Sequence, residues 1–334
     1  MAKHMGIFRQ MRLLSQAVNR ITKPEDWEKR PIQTADAITS QHLHAIPMYS
    51  QAPEHEQQSY FKTSFINVLA AGLWSYSGRP VITLGHKTAA ACATTKISAN
   101  DALDFVRAPW PCFFVRLPVP LLQIMDREQP IDANFLIVIC LPGNLVIDGR
   151  SSNESRWWYK LCADKPADAL ARAVFSDVEI AFHGTGLSIW NYNFSLTDIL
   201  NQDVEHVRWD VVEYTTADLR ADWLTRYLMV NTCLFADSPN SQEREAHTAR
   251  NTTFVKRASK PDDLGSYMNY DLKADGIQLN LCEAVREYVK TGRMPAHYAK
   301  WVQPHWKRVV YGQGRALRRL QYIETYLRKG GNDG

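Results

Sequence analysis

The chain has 334 residues, 45% apolar and 22% charged, values ordinary for a globular protein whose sizeable core needs no metal or disulfide staple. Its net charge of +4 conceals an asymmetry, because residues 293–330 hold nine Lys/Arg against one acid, Glu324; that segment carries +8 and the rest −4. A uniformly basic protein is thereby excluded, and a partner surface at one end of the molecule is expected.

Polar and basic residues interrupt every apolar run of the N-terminus, MAKHMGIFRQMRLLSQAVNR, so no signal-peptide core can be drawn. The longest clean apolar run, Phe135 to Leu141, is far too short for a bilayer, and a cytoplasmic protein is expected. Ile7, Met11, Leu14, Val18 and Ile21 recur at spacings of four and three, which predicts an amphipathic helix over 7–21. Residues 22–58, rich in Pro, Gln, His and acids without a sustained period, read as an irregular connection or lid. A second helix is predicted from about Tyr60 to Tyr76, ended by Ser77-Gly78-Arg79-Pro80.

The middle reads as an antiparallel sheet. Short β-branched and aromatic runs lie at 112–117, 134–140, 144–148, 156–162, 178–183 and 187–192, separated by Pro, Gly, Asn and Asp. Leu141-Pro142-Gly143-Asn144 and Gly184-Thr185-Gly186 read as hairpin joints between successive strands. In Trp157-Trp158-Tyr159 strand alternation sends one ring off the core face, to core or interface packing or to a partner surface.

A helix is predicted from Thr216 to about Phe235, with Thr216 as N-cap; residues 238–276 read as a long exposed loop, and a last helix is expected over about 279–291. Strands grouped between helices give an α+β fold: a central, mostly antiparallel sheet flanked by N- and C-terminal helices, with a basic C-terminal extension. The whole of 1–334 reads as one large domain, comprising an N-terminal helix and irregular segment (1–58), an α+β core (59–292) and a basic element (293–334).

Catalytic signatures are weak. The six cysteines are far apart without a CxxC, which suits reduced thiols, and no G-x-S-x-G stands in the chain. His42, His44 and His55 have the residue types of a metal site but match no zinc spacing, and they read as exposed loop histidines. Gly184-Thr185-Gly186 lacks the Lys-Ser/Thr ending of a phosphate loop. A Mg²⁺-dependent nuclease would need clustered acids and a lysine; Asp148, Glu154, Asp177 and Glu179 lack the following x-Lys step, and Asp271-Leu272-Lys273 has it within the expected loop. No cofactor and no metal are expected.

The segment QPHWKRVVYGQGRALRRLQYIETY, residues 303–326, is the strongest signal. Lys307, Arg308, Arg315, Arg318 and Arg319 can neutralise phosphates, while His305, Trp306, Tyr311 and Tyr322 offer faces for stacked bases. Gly312 and Gly314 would let the backbone turn tightly or approach a phosphate. Ala316, Leu317, Leu320, Ile323 and Leu327 also fit a helical stripe, which would make the arginines its solvated face. Contact with nucleic acid or the ribosome and plain solvated structure both remain open from these residues.

His297-Tyr298, Pro304-His305-Trp306-Lys307-Arg308, Gly312-x-Gly314-Arg315, Arg318-Arg319 and Tyr322-Ile323-Glu324 together resemble the C-terminal signature of the phage- and plasmid-borne family typified by a type V-A anti-CRISPR protein. The run from Pro109 to Pro118 is a second, weaker similarity. Val309-Val310 stands where members keep a glycine, and Thr325 replaces a common proline. The family pattern implies extended strands here, whereas the local apolar spacing implies a helix. The resemblance further implies a protein that recognises the N-terminal segment of a CRISPR effector nuclease during translation and causes loss of its mRNA. The target polypeptide would be held at a sheet edge, with the basic element near ribosomal or messenger RNA.

Overall fold

The computed structural model describes residues 7–43, 47–95, 97, 105–118, 123–126, 129–143, 155–162, 169–175, 178–183, 190–194, 216–236, 247–248, 252–257, 266–274, 298–302, 305–323 and 326–329. Five helices open the chain: α1 (Ile7–Ile21), α2 (Pro24–Lys29), α3 (Pro31–Leu43), α4 (Pro47–Gln51) and α5 (Glu54–Tyr76). The predicted α1 stripe is buried at Met11, Leu14 and Val18, and the second predicted helix starts earlier than expected, at Glu54. The region 22–58, expected to be irregular, is thus largely helical. Its prolines start helices instead of breaking them: Pro24, Pro31 and Pro47 each occupy a first helical position, where a missing N–H costs nothing and the fixed φ suits the helix. At the start of α2 the Asp26 carboxylate also accepts the Lys23 N–H at 3.0 Å.

The strands are β1 (Pro80–Leu84), β2 (Cys112–Arg116), β3 (Gln123–Asp126), β4 (Gln129–Asp132), β5 (Phe135–Leu141), β6 (Arg156–Cys162), β7 (Ala169–Phe175), β8 (Val178–His183) and β9 (Trp190–Phe194). After helices α6 (His86–Thr94) and α7 (Thr216–Phe235), the chain adds β10 (His247–Thr248), β11 (Thr252–Arg257), β12 (Met268–Ala274), β13 (Tyr298–Val302), β14 (His305–Tyr311), β15 (Leu317–Ile323) and β16 (Tyr326–Lys329). A seven-stranded sheet runs β11-β12-β1-β2-β5-β6-β9; its pairings are antiparallel except those of β1 with β12 and with β2. The mixed α+β architecture with a mostly antiparallel sheet is as expected.

Side chains alternate between two cores. Val81, Phe114, Ile137, Ile139 and Trp158 join residues of α1, α3 and α5, while Ile82, Phe113, Val115, Leu136, Val138, Trp157 and Tyr159 join residues of α6 and α7. Both sheet faces are therefore covered, and none of Trp157, Trp158 and Tyr159 leaves the core. On the α1 side Phe8 meets Trp74, Phe114, Phe135 and Tyr267, and the Arg12 and Arg116 guanidiniums lie 5.9 and 5.7 Å from its ring centroid.

Two other expectations are corrected. The segment 238–276 is not simply a loop: it contains β10, β11 and β12, and β12 lies inside the main sheet, in register Thr83↔Asp271 with β1. Polar Asn269, Asp271 and Lys273 disguised that strand, which pairing on both edges holds in place despite its composition. Nor does the anticipated joint at 184–186 connect paired strands: β8 pairs β7, and β9 joins β6. The segment 144–148, the turn 184–186 and the helix 279–291 lie outside the described residues.

Candidate nucleic-acid interface

The basic C-terminal element is built of strands. β14 and β15 pair antiparallel from His305↔Ile323 to Tyr311↔Leu317, and β13 pairs β16 from Val302↔Tyr326 outward. Partner numbers add to the same total at Val302↔Tyr326 as throughout β14–β15, so the two ladders are successive stretches of one hairpin register. The helical stripe of Leu317, Leu320 and Ile323 is overridden by this pairing, in agreement with the extended conformation that the family resemblance implied. Short β10 adds parallel to β15, leaving β14 at the edge of that sheet among the described residues.

The turn explains the glycines. Gly312 has φ +80° and ψ 177°, a region that side chains exclude, and a Cβ there would meet Leu317 Cδ1 at 3.1 Å. Gly314 and Arg315 follow at φ +64° and +56°, and the Arg315 N–H donates to the Gly312 carbonyl at 3.1 Å. The Arg318 Nη1 donates to the carbonyls of Arg315 (2.7 Å) and Leu317 (3.2 Å), bracing the turn.

At the other end the hairpin is anchored. Trp306 is 2% exposed and Leu320 0%. Trp306, Tyr322 and Phe235 of α7 form a ring trio with centroids 5.2–5.4 Å apart. The Trp306 indole N–H donates to Asn231 Oδ1 at 2.7 Å, and Asn231 Nδ2 donates to the Cys92 and Thr95 carbonyls at 2.8 and 2.9 Å. One buried amide thus joins β14, α7 and the C-terminal end of α6, whose last carbonyls have no helical donors. Sequence reasoning missed Asn231, although its position among the apolar residues of α7 is a visible signal.

The structure therefore separates residues that the sequence grouped. Trp306 faces protein, which removes it as a stacking platform, and Tyr322 shares its cluster. Lys307, Arg308, Arg315 and Arg318 are exposed, the Arg308 guanidinium lying 5.7 Å from the Phe105 ring centroid. His305 and Tyr311 are half-buried, and Arg319 stands opposite Val309 in the ladder. Val310 and Leu317, 45% and 51% exposed, flank the turn. Leu320→Ala is expected to cost about 2–5 kcal/mol of stability, whereas Arg318→Ala stays within about 1 kcal/mol, as urea unfolding would measure.

Other candidate chemistry finds little support. His42 belongs to α3, not to a loop, and burial lowers its pKa; His55 belongs to α5, and His44 lies outside the described residues. Asp271 and Lys273 stand on β12, with Thr83 and Val255 beside Asp271 on the flanking strands. Among the described residues no group of three or more His, Cys, Asp or Glu is placed to hold a metal ion. Burial pushes the Cys92 and Cys140 thiols up to about 12 and also raises Cys112 and Cys233 well above the usual thiol range, which disfavours the nucleophilic thiolate in all four. No helix among the described residues is long and apolar enough to cross a membrane.

No protein-family model matches the chain, and no curated protein matches it. Among solved structures, the crystal structure of AcrVA2 aligns over 94% of this chain and 97% of that chain, with 11% sequence identity and a TM-score of 0.44.

Proposed function

We propose that this is an anti-CRISPR-like protein of a mobile genetic element, which recognises a segment of a target polypeptide, nascent on the ribosome, and lowers its expression through loss of the encoding mRNA. The observation that carries the reading is the C-terminal signature: its His-Trp-Lys-Arg and Gly-x-Gly-Arg elements occupy one hairpin, the tryptophan fixed in the core and the cations outside. A bound segment would be held by main-chain pairing at a sheet edge. The basic hairpin would lie beside ribosomal or messenger RNA.

The test is co-expression with a type V-A effector nuclease, following its mRNA and the sedimentation of this protein with ribosomes. Loss of mRNA is expected with the native reading frame and with synonymous recoding of the nuclease N-terminus, but not after a frameshift there. Unchanged mRNA together with no ribosome association overturns the reading. A second reading, a nucleic-acid-binding protein without peptide recognition, draws on the absence of any acid between His305 and Ile323. It predicts tight, salt-dependent binding of naked RNA or single-stranded DNA.

A further inference from the structure

We infer that the turn of the β14–β15 hairpin, residues 312–318, is a clamp for a single phosphodiester of an RNA backbone, gripped by the Arg315 and Arg318 guanidiniums against the main chain at Gly314. This deepens the proposed function and rests on it for the choice of RNA as the source of the phosphate.

Three observations on the turn itself lead there. The first is position. Every residue from Gly312 to Arg318 is exposed, and Val310 and Leu317 are exposed although they lie on opposite faces of the ladder, so this end of the hairpin projects from the core. A Cβ built on Gly314 would meet nothing within 4 Å, which lets a bulky anion reach the backbone there. The second is the conformation of Arg315. Its φ of +56° lies in the left-handed region, which glycine or asparagine enters more easily than a long side chain. Gly314 precedes it at φ +64°, so the turn sets two left-handed residues in succession and places an arginine at the strained second one. A charge serving solubility alone has no need of that position.

The third is the second arginine. Arg318 Nη1 donates to the carbonyls of Arg315 at 2.7 Å and Leu317 at 3.2 Å, which fixes its guanidinium against the main chain of Arg315 and brings both cations to one turn. The turn takes the N–H groups of Nη1, and the Nε–H and Nη2–H pair supplies the fork that meets two oxygens of one phosphate. An arginine already held by its own loop loses less freedom on binding than a lysine on its flexible stem. The clamp therefore depends on guanidinium geometry and not on charge alone. Such a contact positions a protein on nucleic acid without reading sequence.

The experiment measures binding of the full-length protein to a fluorescent oligouridylate, to the same oligomer with neutral methylphosphonate linkages, and to the oligouridylate in competition with inorganic phosphate at constant ionic strength. The oligouridylate is expected to bind about tenfold tighter than its neutral analogue and to resist displacement by phosphate. Arg315→Lys and Arg318→Lys keep the net charge, yet each should weaken binding about tenfold. The remote Arg30→Lys should not, and thermal unfolding of all three variants should match the parent. In glycine-labelled protein the Gly314 amide resonance should shift on titration with the oligouridylate, and the shift should shrink in Arg315→Lys. Parent-like binding by the two lysine variants, equal binding of the neutral oligomer, or a stationary Gly314 resonance overturns the inference. Displacement by inorganic phosphate assigns the turn to a free anion and overturns the choice of RNA. Because no target polypeptide or ribosome is present, failure here is separable from failure of the mRNA-loss reading, which the co-expression assay scores alone.

Discussion

Replacing Asn231 with leucine is expected to lower the free energy of unfolding by at least about 3 kcal/mol. The leucine fits the volume of the amide but leaves three buried groups unmatched: the Trp306 indole N–H and the carbonyls of Cys92 and Thr95. Each such group costs about 1–3 kcal/mol when its partner alone is removed. The loss falls where three elements meet, so hydrogen exchange should accelerate together in the last turn of α6, the second half of α7 and β14. Urea unfolding gives the magnitude and exchange gives the location. A loss below about 1 kcal/mol would mean that Asn231 does not join these elements. Asn231→Leu should also weaken any function of the basic hairpin without touching an exposed cation, because Trp306 fixes where that hairpin leaves the core.

Element type was legible where local pattern and tertiary environment agree. The α1 stripe, the apolar run of β5 and the aromatic run of β6 each carry their period in consecutive residues, and α7 follows its predicted limits. Legibility failed where the deciding partner is distant in sequence. β12 is polar at alternate positions and is a strand because β1, some 190 residues earlier, pairs with it in parallel. The C-terminal element shows the same competition: spacing alone favours a helix, but the left-handed turn at Gly312 and Gly314 and the burial of Trp306 select the hairpin. For the candidate site the cations were legible as a group. Their division from the aromatic residues was not, since it depends on Phe235 and Asn231 of α7. A basic, aromatic stretch thus resolves into an anchored root and a charged outer part only once its packing partner is known.

Gly72→Ala reverses an ordinary expectation. In an exposed helix the change stabilises by about 1 kcal/mol, because glycine loses more backbone freedom on folding. Gly72 lies inside α5, where an added Cβ would fall within the indole of Trp27, against Cζ2, Cη2 and Cε2. Trp27 is itself 2% exposed, and its N–H donates to Thr22 Oγ1 at 3.0 Å, so the ring has little room to retreat. Overpacking of a filled core costs about 1–3 kcal/mol and outweighs the helix propensity gained, giving a net loss. Trp27→Ala alone removes a large buried ring and should cost about 3–5 kcal/mol. In that background the clash is gone, and Gly72→Ala should become neutral or stabilising. A double-mutant cycle by chemical denaturation therefore reads a change of sign, not merely a change of size. If Gly72→Ala raises stability in the otherwise native protein, or if the two effects simply add, Trp27 does not lie against α5. The helix α2, which the composition of 22–58 had suggested was an irregular connection, would then lose its role as a wedge packed against α5.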